Sequence, residues 1–380
     1  MGLYIHLVQQ ELQTAGLALP CEDDTSDYHA LFAFEILQRP FAEFRGRIWN
    51  PMMAGPLFEA WDRQVHLIES LHLPGADSSH HPVFELRFVA CPDQDRVDLF
   101  FLGKASASTP DQARSQALAL GEEVFSLFPF DFVLHPLSSQ PEFERAYRSE
   151  WIAGLKQPEQ IVEVRRFERV VPSPIAGNEL KLLYLTHSWE WHLQSMDQVW
   201  CALAKYRQPL MFCISLSPML WEQADYPYLN ELETVVSRGE FTSGLAREVE
   251  SALKLYHQLL YQTPHPFTMR VVLAGAPAVP RGLANAVGAG LCLPPVQMGD
   301  NEFTLRSNYT LALPASPIDF SRAELNLTQL SQYDWGANQI GFPIRRLRYA
   351  VNARQAQAAF RIPIPPEAGF PDVSIGREVD

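Results

Sequence analysis

The chain has 380 residues, 47% of them hydrophobic and 19% charged, so it can bury a sizeable core and is not a disordered segment. Its formal net charge of −14 repels phosphate backbones, and the richest basic stretch, Arg345, Arg346 and Arg348, reads as a solvated strand face, which disfavours direct nucleic-acid binding. Five dispersed cysteines without C-x-x-C spacing, no signal-peptide pattern at Met1 to Gln10 and no apolar run of membrane-spanning length lead us to expect a cytoplasmic protein with no zinc or disulfide framework and no membrane span.

In chain order, Leu31 to Leu37 reads as a strand and Leu57 to Leu73 as a helix with Leu57, Trp61, Val65, Ile68 and Leu71 on one stripe. Phe84, Leu86 and Phe88 alternate with polar residues, as do Val97, Leu99 and Phe101 across a turn from Cys91 to Asp95, which predicts a β-hairpin. Thr109, Pro110 and Gln112 form a helix start, and Phe130 to Leu134 resumes extended structure, so the order β-β-α-β is half of a ferredoxin-like layer.

Val162 to Val171 reads as an edge strand, and a module boundary is placed near residue 160. The second module follows with a helix capped by Ser195, a strand from Leu210 to Leu216, helices over Tyr228 to Ser237 and Leu245 to Leu260, a strand from Phe267 to Leu273 and a short helix from Pro280 to Gly290. It resembles the first only in topology. Leu347, Tyr349 and Val351 alternate as a strand before Asn352 caps a last helix. The expected fold class is α+β, with two modules of mixed or antiparallel sheets carrying helices on one face. The modules span 1–160 and 161–361, and 362–380 reads as a Pro-rich linker or tail.

No local motif supplies chemistry. Gly103-Lys104-Ala105-Ser106 lacks the upstream glycine and the Ser/Thr of a phosphate-binding loop, and Gly288 and Gly290 close a helix where a dinucleotide site would open one. His187 and His192 are five apart, and His80 and His81 are adjacent, neither of which is a metal-ligand spacing on a helix. Catalytic, cofactor-binding and metal residues are therefore expected to be absent. The positions singled out as a possible interface are His187, Trp189, Trp191, Arg345, Arg346 and Arg348, because exposed aromatic anchors concentrate binding energy. A second reading is an enzyme with a dispersed site in a cleft between the modules, where His187, Glu190 and His192 would converge.

The unit from Phe84 to Leu134, with Leu102-Gly103-Lys104 at a strand end and Leu127-Phe128-Pro129-Phe130-Asp131 at its close, resembles the region that precedes the motor in HerA/FtsK-superfamily ATPases. Leu347-Arg348-Tyr349, leading to Ala358-Ala359-Phe360-Arg361-Ile362-Pro363-Ile364-Pro365, is similar to the segment that enters the motor in HerA-like and conjugative-transfer ATPases. The resemblance implies an accessory role in oligomerisation or partner docking for a motor that moves DNA or protein. ATP and magnesium would then be bound only by a downstream or partner motor domain, since no Walker A loop stands in this chain. The implied partners are further copies of the chain or an ATPase motor.

Overall fold

The computed structural model describes residues 2–9, 28–38, 55–72, 81–172, 182–189, 196–221, 225–237, 243–263, 265–292, 309–335, 345–365, 370 and 373–378. Their fold is α+β, and the larger of two sheets joins twelve strands.

The first half of the sheet is built from β1 (His6–Gln9), β2 (Tyr28–Gln38), β3 (Val83–Cys91), β4 (Arg96–Ala107) and β5 (Val133–Pro136). Helix α1 (Gly55–Ser70) connects β2 to β3, and α2 (Pro110–Leu127) connects β4 to β5. Thr109 caps α2 by accepting from the Gln112 backbone N–H, as its sequence predicts. Helices α3 (Gln140–Tyr147) and α4 (Ser149–Ala153) then lead to the second half.

That half contains β6 (Ile161–Arg166), the hairpin β7 (Glu168–Pro172) and β8 (Leu182–Thr186), α5 (Asp197–Lys205) and β9 (Leu210–Pro218). Next come α6 (Asp225–Ser237), α7 (Ser243–Tyr261), β10 (Phe267–Gly275), α8 (Arg281–Leu291), β11 (Tyr309–Ala312) and α9 (Pro317–Gln329). The chain closes with a 3-10 turn (Arg345–Arg348), β12 (Ala350–Val351), α10 (Ala353–Ala356), β13 (Ser374–Ile375) and β14 (Arg377–Glu378).

The strand order has an internal logic. In the first half the chain runs β2-α1-β3-β4-α2-β5, and the strands lie side by side as β5-β2-β4-β3. The second half runs β6-α5-β9-β10-α8-β11 and lies as β11-β6-β10-β9. Numbering four strands in each half, both read 4-1-3-2 with every neighbour antiparallel, the ordering of a split β-α-β unit. The halves meet second strand against second strand, with Phe84 opposite Leu216 and Phe88 opposite Phe212. Residue 160 ends a 3-10 turn before β6, and sheet hydrogen bonding continues across this β3–β9 seam.

Alternation along the strands sorts side chains onto two faces. Phe32, Phe34, Phe84, Phe88, Phe101, Phe212, Ile214, Val271 and Leu273 face α1, α2, α5 and α8, the four crossover helices. Leu31, Ala33, Phe100, Leu102, Met211, Cys213 and Val272 face α3, α4 and α9. Helices therefore cover both faces, which corrects the one-face expectation: the segment linking the halves and α9 supply a second apolar layer. Helices α6 and α7 pack on the β7–β8 hairpin instead of the main sheet, through Leu229, Leu232, Val249 and Tyr256 against Leu183 and Leu185.

Two further expectations change. The stretch from Val162 to Val171 is not one edge strand, because β6 lies between β10 and β11 with all six residues buried, and only β7 leaves the main sheet. Glu163 and Arg165 pair with each other, but Arg270 and Asp334, which complete their cluster, lie far along the chain, so local alternation does not show that these charges are buried. The tail from residue 362 is not a free connector: Ile362, Ile364 and Ile375 are buried in the main core, and β13 and β14 lie parallel to β4 and β2. Arg377 seals it with two 2.5 Å hydrogen bonds to the buried Glu35 carboxylate, which Arg145 of α3 also reaches.

Gly103 explains its place by sterics, because a Cβ there would lie 2.1 Å from Phe32 Cζ, inside the core of the first half. Gly103→Ala is expected to destabilise the fold by about 1–3 kcal/mol through overpacking, read as a lower thermal midpoint with unchanged far-UV circular dichroism. No helix among the described residues is long and apolar enough to cross a membrane.

Candidate functional site

The second face of the sheet carries most of the buried charge. Near the outer edge of the second half, Glu163 of β6 accepts from Arg165 Nε at 2.6 Å and from Arg270 Nη1 of β10 at 3.1 Å. Asp334, beyond α9, lies 3.6 Å from Arg165 and 3.9 Å from Arg270, and accepts from the Tyr349 hydroxyl at 2.7 Å. The Arg270 guanidinium stands 4.0 Å over the Tyr349 ring. Arg165 also donates to the Trp335 carbonyl and Arg270 Nη2 to the Gln332 carbonyl, so the two arginines fasten residues 332–335 to the sheet.

Burial opposes ionisation here, and the partners overcome it. Burial alone would raise the Asp334 pKa, but Arg270 and Arg165 hold it below the ordinary carboxylate value. Burial would lower the Arg165 pKa, yet Glu163 holds it above its ordinary value. At the periphery Arg348 Nε lies 2.8 Å from Glu168 Oε1, and there burial wins, raising the Glu168 pKa despite the arginine.

A second cluster sits on the β3–β9 seam. Arg87 is fully buried and donates to Glu85 Oε1 at 2.6 Å, to the Tyr147 carbonyl at 2.7 Å and to the Leu327 carbonyl at 2.6 Å. Tyr147 ends α3 and Leu327 lies in the last turn of α9, so the carbonyl ends of two helices converge on one cation. Compensated charges of this kind hold the elements they join in position.

The residues singled out from sequence land apart from one another. His187 follows β8, half-buried beside Phe167, and burial lowers its pKa against the opposing effect of Glu248. Trp189 is only 3% exposed and bridges to Cys292, so it is a core residue and not the exposed anchor expected. Glu190, Trp191 and His192 lie outside the described residues. Arg345, Arg346 and Arg348 occupy a 3-10 turn, not a strand, and Arg348 is 5% exposed in its ion pair. For Arg348 the solvated-face reading fails because Glu168, the anion that makes its burial tolerable, lies 180 residues earlier. The seam arginine Arg87 was missed for the opposite reason: Glu85-x-Arg87 looks like the polar side of a hairpin until α3 and α9 cover it.

Where the chain reaches the first face again, Arg361 is 1% exposed, with its Cζ 5.1 Å from the Trp61 ring of α1 and 5.4 Å from the Trp200 ring of α5. Burial pushes its pKa down to about 10, partly offset by Asp197 at the start of α5. Burial raises the Asp197 pKa to about 6 from its ordinary 3.8, against the pull of Arg361. A carboxyl with a raised folded-state pKa takes up a proton on folding. Its contribution to stability is therefore present at low pH and is lost as pH rises through about 6. Asp197→Asn is expected to be more stable than the parent at neutral pH and to show a flatter dependence of thermal midpoint between the ordinary and shifted values.

Among the described residues no group of three or more His, Cys, Asp or Glu side chains is arranged to hold a metal ion. Compared with known proteins, the chain matches no family model and no curated protein.

Proposed function

We propose that the chain is a non-catalytic, cytoplasmic assembly and docking region of a HerA/FtsK-like ATPase system, binding further copies of itself or an ATPase motor. ATP and magnesium belong, in this reading, to the motor. The observation that supports it best is how the segment resembling a motor entrance is seated.

Arg361 stacks between Trp61 and Trp200, one tryptophan from a crossover helix of each half. Beside it the Gln64 side chain accepts from the Ile362 N–H at 2.8 Å and donates to its carbonyl at 3.2 Å, while Gln357 donates to the Trp61 carbonyl at 2.7 Å. Displacement of this segment would be carried to both halves together, as an accessory region coupled to a motor requires.

The test is to co-express the chain with an ATPase bearing G-x-x-x-x-G-K-[ST], encoded in continuation with it or beside it, and to measure assembly mass by light scattering. A co-eluting oligomer is expected, weakened by Arg361→Ala. Separate elution of a monomeric chain would sink the proposal.

A further inference from the structure

Val89 of β3 lies opposite Met211 of β9, the pair with which the register of the seam ends. Beyond it the ladder stops as the two chains turn to Pro92 and Pro209, neither of which has an N–H to continue it. The gap that opens there is a cavity of about 130 Å3, walled by Val89, Leu210, Met211 and Trp151 of α4. That volume is about four waters' share of the liquid, room for one small organic acid and not for a drug-sized ligand.

One charged residue lines this cavity, Arg148. It joins α3 to α4 in the left-handed region, with φ 55, its N–H bonded to the Glu144 carbonyl at 2.7 Å and its carbonyl accepting from the Ile152 N–H at 2.9 Å. The backbone is tied on both sides, and the side chain is not. Arg145 reaches Glu35 and Arg207 reaches Asp95, whereas no carboxylate among the described residues pairs with Arg148. The nearby Glu144 carboxylate accepts instead from the Glu150 N–H at 3.1 Å. Two carbonyls of the lining residues are also taken, that of Pro92 by Arg207 at 2.6 Å and that of Pro209 by the Ala276 N–H at 3.1 Å. What the cavity offers a ligand is apolar wall and one positive charge.

We infer that this cavity binds a small carboxylate with an aliphatic or aromatic body. The acid group pairs with Arg148, whose planar fork donates two parallel hydrogen bonds to a carboxylate. The body leaves water for the walls formed by Trp151, Val89, Leu210 and Met211, and its burial supplies the apolar part of the affinity. A single guanidinium matches one negative charge, so a phosphate dianion, which calls for further donors, is disfavoured. The carboxylate has two sources of the same chemistry, a free acid or the last residue of a peptide.

Isothermal titration of the full chain with sodium benzoate, and with benzamide as its uncharged counterpart, tests this. Saturable one-to-one binding of benzoate is expected, about tenfold tighter than that of benzamide. Arg148→Gly suits the left-handed backbone and removes the charge, so it should bring benzoate to the level of benzamide, while Arg148→Lys restores part of the difference. The methyl signal of Met211, assigned through Met211→Leu in the methionine-labelled chain, should move when benzoate is added. N-acetylleucine and isovalerate separate the two sources: tighter binding of the first supports the site as one for a chain end, and of the second as one for a free acid. No saturable binding of benzoate, equal binding of benzoate and benzamide, or a Met211 signal that stays while other methionine signals move overturns the assignment. Should Arg148→Gly fail to fold by circular dichroism, the comparison of benzoate with benzamide in the parent still decides.

Discussion

Arg87→Met is expected to lower the unfolding free energy by about 3–5 kcal/mol, measured as a shift of the urea midpoint at unchanged slope. The substitution keeps the volume of the side chain roughly constant, so cavity formation is a minor part of the loss. What it strands is Glu85, fully buried and already with its pKa raised by burial against the pull of Arg87. It also removes the donor to the Tyr147 and Leu327 carbonyls, leaving the ends of α3 and α9 unsatisfied beneath the seam. Replacing Glu85 and Arg87 together by apolar residues should cost much less than either single change, because a compensated pair contributes little beyond its hydrophobic equivalent. A double substitution as damaging as the sum of the singles would contradict this account.

Glu163→Gln should be nearly as severe, again about 3–5 kcal/mol, because one carboxylate there serves two buried guanidinium groups. With Glu163 neutral, the carboxylate left near Arg165 and Arg270 among the described residues is Asp334, which is partly exposed and farther from both. The strand pair β6–β10 and the segment 332–335 should loosen together, seen as faster amide hydrogen exchange at Val162, Val164 and Val271 than at the distant β2–β4 pair. Uniform acceleration across the whole sheet would instead mean that the cluster stabilises the fold globally.

Much of the element order was legible in the residues. The alternation of Phe84, Leu86 and Phe88, the Thr109-Pro110 helix start and the stripe through Trp61, Val65 and Ile68 are local signals, and each produces the element expected. The likeness of the two halves was legible only as topology, for the register that joins β3 to β9 depends on which edge each strand presents. Helices α3, α4 and α9 went unnoticed because they are short or weakly striped, and they form over a face that exists only once the sheet has formed.

The candidate residues divide the same way. The absence of a local catalytic motif was read from spacing alone. Whether a charged residue is a solvent-facing decoration or a buried tie depends on partners far along the chain: Glu163 with Arg270, Arg87 with Leu327, Arg348 with Glu168, and Arg361 between two tryptophans. Local periodicity reports which side of a strand or helix a residue occupies. It carries no record of what later covers that side, so the tertiary structure alone decided that these charges are interior and that, among the described residues, the fully buried Arg166 pairs with no carboxylate.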